Sequence, residues 1–214
     1  PVKPYQNGGP MLYFGGYSPS ALDLCAEHCD VYLMWPETED NLKSLMENLS
    51  DKAAKFNREI DFGLRVHVVV RETEEEAREY ANSIISKLEI EKGTEIRERA
   101  LDSKSLGVSR QKKMRDLSKK DGYIEPNLWT GIGKGRSGCG AAIVGNPDQI
   151  INKLNKYMKM GIRSFILSGY PHKEECKIFA KLVLPKLKTI SLLQEQNKMP
   201  INEPLTPLAA GTRV

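Results

Sequence analysis

The chain has 214 residues, of which 40% are hydrophobic and 28% are charged, and these ordinary values exclude a collagen-like, disulfide-scaffold or disordered protein. No run approaches the roughly 18 apolar residues that a membrane span needs, and four cysteines without a CxxC pair argue against a disulfide framework and a zinc ribbon. We therefore expect a soluble cytoplasmic protein without a metal site. The net charge of +4 comes from one segment, because residues 97–120 hold nine Lys/Arg against three Asp/Glu.

Short apolar runs alternate with amphipathic segments along most of the chain. Strands are predicted at 11–16, 31–35, 61–70 and 164–168. Helices are predicted to begin after Ser18, Thr38, Thr73 and Pro147, with a last one over 173–188. Thr73 and Glu76 have the spacing of a capping box, and Gly161 follows the helix that Pro147 opens.

Four strand–helix units predict an α/β fold with parallel strands, which fits a doubly wound sheet or a (β/α) barrel. Four units are half of the eight that a barrel needs. We assign residues 1–190 to this domain, with a charged helical and loop insertion at about 91–147 outside the sheet and an irregular tail over 191–214. Because half a barrel leaves two open sheet edges, we expect a homo-oligomer or a complementary half.

A glycine-rich turn follows the first predicted strand. Gly15 and Gly16 permit a tight turn, and Tyr17, Ser18 and Ser20 lead into a helix whose free amide groups could hold a phosphate. The alternative is a plain strand-to-helix turn with a serine cap.

Charged and aromatic side chains mark the ends of the later strands. Arg65 and His67 are two residues apart, so both point to one face of their strand and could hold an oxyanion and move a proton. A buried ion pair or a solvent-facing edge is the alternative. Tyr170 and His172 follow the fourth strand and would emerge on the same side as Arg65 and His67.

The glycine-rich segment 131–140 formally contains GxGxxG, but no apolar strand precedes it, so dinucleotide binding is disfavoured. A loop that presents Arg136 to an anion fits better.

Residues 106–110 (LGVSR) are similar to the turn of a helix-turn-helix, although Lys113 stands where that motif needs an apolar residue. Cys25 and Cys29 lie at i and i+4, a spacing more typical of a packed helix face than of a metal site.

Four segments together resemble a known family. The segments PMLYFGGYSPSALDLCAEHCDVYLMW, FGLRVHVVVRETEEEA, PNLWTGIGKGRSGCGAAIVG and IRSFILSGYPH are similar, in this order, to the carboxy-terminal half of alkanesulfonate monooxygenases in the bacterial luciferase-like superfamily. The resemblance implies strands five to eight of a TIM-type (β/α)8 barrel, with the first four strands absent.

The resemblance also implies an activity. Such enzymes take reduced FMN from a separate NAD(P)H-dependent FMN reductase and use O2 to cleave an alkanesulfonate to an aldehyde and sulfite. By motif, Arg65 and His67 would line the active site, Arg136 would come from a mobile lid, and Tyr170 and His172 would complete the site. The Gly15–Ser20 turn would hold the FMN phosphate. The truncated chain is expected to be weakly active or inactive alone.

Two other functions remain open from the residues. One is a different luciferase-like monooxygenase acting on another sulfur compound. The other is a basic nucleic-acid-binding module through residues 97–120.

A DNA-binding assay distinguishes these functions. We expect no binding of a labelled random duplex at physiological salt, and we expect Lys112→Ala with Lys113→Ala to leave the fold intact and change only sulfonate or flavin affinity. Strong, salt-dependent duplex binding would instead indicate a nucleic-acid interface.

Overall fold

The computed structural model describes residue 4 and residues 8–100, 104–136 and 138–198. These described residues divide into two compact units, one within 13–188 and one of the described residues up to 12 with those of 189–198. The helices are α1 (Pro19–His28), α2 (Glu39–Ala54), α3 (Glu74–Ile85), α4 (Ile90–Arg99), α5 (Leu106–Asp116), α6 (Pro147–Lys159), α7 (His172–Leu182) and α8 (Leu192–Glu195). The strands are β1 (Tyr13–Phe14), β2 (Val31–Met34), β3 (Asp61–Val70), β4 (Tyr123–Glu125), β5 (Leu128–Trp129), β6 (Ala142–Gly145) and β7 (Ile162–Ser168).

The four predicted strands form one parallel sheet. β1 pairs with β2, β2 pairs with β3, and β3 pairs with β7, all in parallel. Each of these strands is followed by a helix, and the sheet curls into a half-barrel. The prediction of a parallel α/β fold is confirmed.

The insertion is not outside the sheet, and that prediction was wrong. β6 pairs in parallel with His67–Val70, the end of β3 that the shorter β2 leaves uncovered, while β7 occupies the opposite edge of β3. β5 and β4 extend the sheet in antiparallel fashion from β6. The ten-residue length of β3 explains the result, because a buried edge must find backbone partners along its whole length.

Local sequence fixes most helix ends. Ser18 and Thr38 cap α1 and α2, and the capping box of Thr73 and Glu76 is present. Gly161 takes a φ of +107° and ends α6, as predicted. The predicted helix over 173–188 is shorter, because α7 ends at Leu182 and a 3-10 turn with a proline follows.

Two other expectations need correction. α5 is a continuous helix from Leu106, so residues 106–110 form no turn between two helices. The tail predicted as irregular over 191–214 contains the short helix α8, and its residues 199–214 lie outside the described part of the chain. None of the described helices is long and apolar enough to cross a membrane.

The core lies mainly between the convex face of the sheet and its helices. Alternate residues of β3, including Leu64, Val66 and Val68, point into this core, while Val69 packs with Ala77 and Trp129 on the other face. This alternation places Arg65 and His67 on the concave face, together with Val69.

A buried lysine joins the insertion to two helices. Lys153 of α6 donates to Glu39 at 2.6 Å and to Glu125 at 3.0 Å, and its side chain is 5% exposed. Lys156 also contacts Glu39, but its side chain is 61% exposed. Burial would raise the pKa of Glu39, but the hydrogen bonds from both lysines outweigh it and hold that pKa below its ordinary value.

Replacement of this lysine should destabilise the fold strongly. We expect Lys153→Met to lower the free energy of unfolding by about 3 kcal/mol, because two carboxylates would lose their buried cation. The matched variant Lys156→Met should cost much less, since its ion pair is exposed. Urea unfolding measures both, and equal losses would contradict this role of Lys153.

Candidate functional site

The glycine-rich turn borders a cleft of about 540 Å³, which we call the turn cleft. Residues from four parts of the chain meet there. They are Gly15, Gly16, Tyr17 and Ser18, Leu33 and Trp35, Arg65, and Ser105, Leu106 and Gly107. The turn cleft therefore combines a glycine turn, a strand-borne guanidinium and the start of α5 of the insertion.

Close packing explains why the turn needs glycine. A Cβ on Gly16 would lie 2.9 Å from the Cβ of Ala21, and one on Gly15 would lie 3.2 Å from the Leu33 carbonyl oxygen. The Tyr32 hydroxyl donates to the Gly16 carbonyl at 2.7 Å. The turn is thus held against the neighbouring strand.

Two helix N-termini border the turn cleft. The Ser18 hydroxyl accepts the N–H of Ala21 at the start of α1, and the Ser105 hydroxyl accepts the N–H of Val108 at the start of α5. The unpaired amides of both first turns carry partial positive charge. The cleft is therefore suited to an anion such as a phosphate.

Two of the residues predicted to bind the cofactor have other contacts. The Tyr17 hydroxyl accepts the Trp35 N–H at 2.9 Å, and burial raises the pKa of this phenol far above its ordinary value. Ser20 is exposed, bonds to the Ser18 hydroxyl at 3.2 Å and does not line the cleft. Tyr17 therefore offers the cleft its ring, and the Ser20 hydroxyl contacts the cleft lining through Ser18.

Four other predicted residues come together beside β3: His67, Arg136, Tyr170 and His172. We call these four, together with Arg65 on the same face of β3, the His67 cluster. The Arg136 guanidinium lies 3.2 Å from His67 Nε2 and donates to the Tyr170 hydroxyl at 2.6 Å. Ring centroids of Tyr170 and His172 are 4.8 Å apart in an edge-to-face arrangement. Residues far apart in sequence therefore contact one guanidinium, that of Arg136, and form one hydrogen-bond network.

The electrostatics keep His67 neutral. Burial is the largest cause, and the charges of Arg136 and Arg65 act in the same direction, so the pKa of His67 falls from 6.5 to about 4. Hydrogen bonds to the backbone of Ser168 and Cys139 oppose this fall. At pH 7 the imidazole is a neutral hydrogen-bonding group rather than a cation.

Arg65 connects the two groups. It points to the same face of β3 as His67, and it lines the turn cleft. Within the described ranges its side chain makes no hydrogen bond or ion pair, so the guanidinium is available to a ligand. Within those same ranges, the lining of the turn cleft includes no other cluster member. The predicted residues thus form two groups that Arg65 bridges.

The predicted site does not include several residues of this region. Trp35 and Gly107 pack together, since a Cβ on Gly107 would lie 3.0 Å from the Trp35 ring. Ser168 lies 2.7 Å from His67 Nδ1. Trp35 and Ser168 stand at the ends of predicted strands, where barrels carry their chemistry, but the sequence assigns neither a role. Only the docking of α5 brings Gly107 to the cleft.

The cysteines do not form a metal centre in the described part of the chain, where no group of three or more His, Cys, Asp or Glu could hold an ion. Cys25 and Cys29 are both buried in the core. Burial and the neighbouring Cys29 raise the pKa of the Cys25 thiol to about 12.

Comparisons with known proteins identify related sequences and structures. A family model described as luciferase-like monooxygenase matches residues 1–164. A sulfoquinovose monooxygenase of Agrobacterium fabrum is 59% identical over 214 residues, which are 100% of this chain and 56% of the relative. A sulfoquinovose monooxygenase of Novosphingobium aromaticivorans is 54% identical over 178 residues, 83% of this chain and 49% of the relative.

A solved structure shares the fold at low identity. The EDTA monooxygenase of Chelativorans sp. BNC1 superimposes with a TM-score of 0.61 at 14% identity, covering 94% of this chain and 47% of that one. The chain therefore spans about half the length of the relatives that it matches.

The low pKa of His67 predicts a pH-dependent stability. The unfolded chain takes up a proton near pH 6.5, while the folded chain resists protonation until about pH 4, so stability falls as the pH drops through this window. Between pH 7.5 and pH 5 we expect wild type to lose about 2 kcal/mol more than His67→Gln. Both proteins share the other titrating groups, so parallel stability curves in urea unfolding would rule out this contribution.

Proposed function

Because this chain belongs to the luciferase-like monooxygenase family, we propose that it supplies one half of the active site of an FMN-dependent organosulfonate monooxygenase. In this proposal β1, β2, β3 and β7 are strands five to eight of a (β/α)8 barrel. The remaining strands come from a complementary amino-terminal half, since this chain covers about half of its relatives. Parallel strand order and the curled sheet support this assignment.

The turn cleft fits the phosphate end of FMN. Gly15 and Gly16 leave room for close approach of an anion, and the starts of α1 and α5 border the same space, where the partial positive charge of helix N-termini favours an anion. The ring of Tyr17 and the nearby Trp35 offer apolar surface to the rest of the cofactor. Reduced FMN supplied by a separate NAD(P)H-dependent reductase would activate O2.

A sulfonate is the substrate group that the cations favour. It carries a permanent negative charge, and guanidinium groups bind such oxyanions through paired donors. Arg65 carries this proposal, because its side chain has no hydrogen-bond or ion-pair partner in the described ranges and it lies on the same concave face as His67. Arg136 provides the second guanidinium.

The identity of the relatives favours a sugar sulfonate. Sulfoquinovose monooxygenases are 59% and 54% identical to this chain, so sulfoquinovose is the preferred candidate and a simple alkanesulfonate is the alternative. The reaction would cleave the C–S bond to a carbonyl compound and sulfite.

The residues of the His67 cluster have distinct roles in this proposal. Arg65 and Arg136 bind and orient the sulfonate. Neutral His67 accepts from Arg136 and keeps that guanidinium in place. The Tyr170 hydroxyl accepts from Arg136 and retains its own proton for donation to a ligand oxygen, with the His172 ring packed against it.

Sulfite release tests the proposal. The chain is joined to the amino-terminal half of the Agrobacterium relative and supplied with O2 and reduced FMN from a reductase. We expect faster sulfite release from sulfoquinovose than from pentanesulfonate, and little from the 214-residue chain alone. Arg65→Ala and Arg136→Ala should each lower kcat/KM roughly 10- to 100-fold, as loss of a charge-assisted hydrogen bond requires.

Arg163 provides the matched control. It lies near the start of β7 and pairs with Asp61 at 3.0 Å, far along the strand from Ser168. Arg163→Ala should change kcat/KM less than about twofold. Full activity of the Arg65→Ala, Arg136→Ala double variant would refute the sulfonate-binding roles. A joined protein that binds FMN but releases sulfite from neither compound would refute the substrate class.

A further inference from the structure

Ser168 and His67 face each other because of strand register. β3 and β7 are parallel neighbours, and His67 pairs directly with Ser168. Side chains at paired positions lie on the same face of a sheet. The Ser168 hydroxyl oxygen is accordingly 2.7 Å from His67 Nδ1.

The other ring nitrogen has a partner that can only donate. Arg136 Nη1 is 3.2 Å from His67 Nε2, and a guanidinium has no acceptor atom. Nε2 must therefore present a lone pair, which leaves the single proton of a neutral imidazole on Nδ1. That proton then points to the Ser168 oxygen, and the charges of Arg65 and Arg136 disfavour a second one.

The backbone around Ser168 is held in place. A Cβ on the following Gly169 would lie 2.5 Å from the Glu175 Cβ, so the chain passes directly against α7. Glu175 is fixed in turn by Arg71, whose guanidinium donates to it at 2.7 Å. The Tyr80 hydroxyl donates to the Tyr170 carbonyl at 3.0 Å. The position of the Ser168 hydroxyl is therefore set by its neighbours.

We propose that Arg136 selects the Nδ1–H tautomer of His67 and that Ser168 is a positioning residue, whose hydroxyl accepts this proton and keeps the Nε2 lone pair directed at Arg136. Ser168 acts on any ligand only through His67 and Arg136. With Nε2 protonated instead, the ring would turn a proton toward the guanidinium, and Arg136 would lose His67 as an acceptor. Whether this positioning affects catalysis rests on the proposed function, but the tautomer itself does not.

Nuclear magnetic resonance measures the tautomer directly. The 214-residue chain contains three histidines, so long-range proton–nitrogen spectra of the ¹⁵N-histidine-labelled chain can be assigned with a His67→Gln variant. At pH 7 we expect His67 to carry its proton on Nδ1. In Ser168→Ala the Nδ1 proton has lost its acceptor, and it should exchange with water roughly fivefold faster or more, the effect of losing one hydrogen bond.

A matched pair of variants separates the effect of the Ser168 hydroxyl from the effect of side-chain shape. Threonine and valine have nearly the same shape, so Ser168→Thr should keep the wild-type exchange rate of the Nδ1 proton while Ser168→Val should behave like Ser168→Ala. Ser164→Ala is the positional control, since Ser164 lies on the same strand and face but bonds to the Tyr13 hydroxyl at 3.1 Å. It should leave the His67 spectrum unchanged.

Two results would overturn the inference. One is a wild-type His67 protonated on Nε2. The other is an unchanged exchange rate of the Nδ1 proton in folded Ser168→Ala or Ser168→Val, which would assign the proton to the Ser168 backbone oxygen instead. In the joined enzyme, Ser168→Ala should raise KM for the sulfonate at least as much as it lowers kcat, with rescue by threonine. Faster exchange without any change in kinetics would contradict the proposed function and leave the positioning role intact.

Discussion

The site depends on one strand that must be paired along both edges. β3 is ten residues long, with β2 and then β6 on one edge and β7 on the other. This pairing allows little movement of the strand, so its alternation separates apolar side chains in the core from Arg65 and His67 on the concave face. Polar groups at such positions are costly to bury unless they are hydrogen-bonded or meet a charged ligand.

The same strand explains why the insertion is part of the site. β6 belongs to the insertion and completes the edge of β3, and Gln111 of α5 donates to the Pro36 carbonyl at 2.8 Å and accepts the Gly140 N–H at 3.0 Å. Arg110 forms a paired contact with buried Glu37. These contacts attach α5 across the turn cleft, so part of its positive charge is used within the fold rather than offered to a nucleic acid.

Neutrality of His67 is the electrostatic consequence of this arrangement. Two guanidinium groups near one buried imidazole would repel a third positive charge, and the low pKa of His67 removes it. The His67 cluster therefore holds two cations, Arg65 and Arg136, and no carboxylate belongs to it. Such a site favours an anionic ligand, which agrees with the phosphate and sulfonate of the proposed function.

The sequence by itself determined the four parallel strands, the caps of α1, α2 and α3, and the face shared by Arg65 and His67, because these depend on local periodicity and capping. It could also identify Arg136, Tyr170 and His172 as candidates, although their roles stay predictions. Only the tertiary structure decided that β6 joins β3, that α5 closes one side of the turn cleft, and that Ser168 faces His67. Those features depend on strand register and long-range docking, which pair residues distant in sequence and leave no local periodic signal.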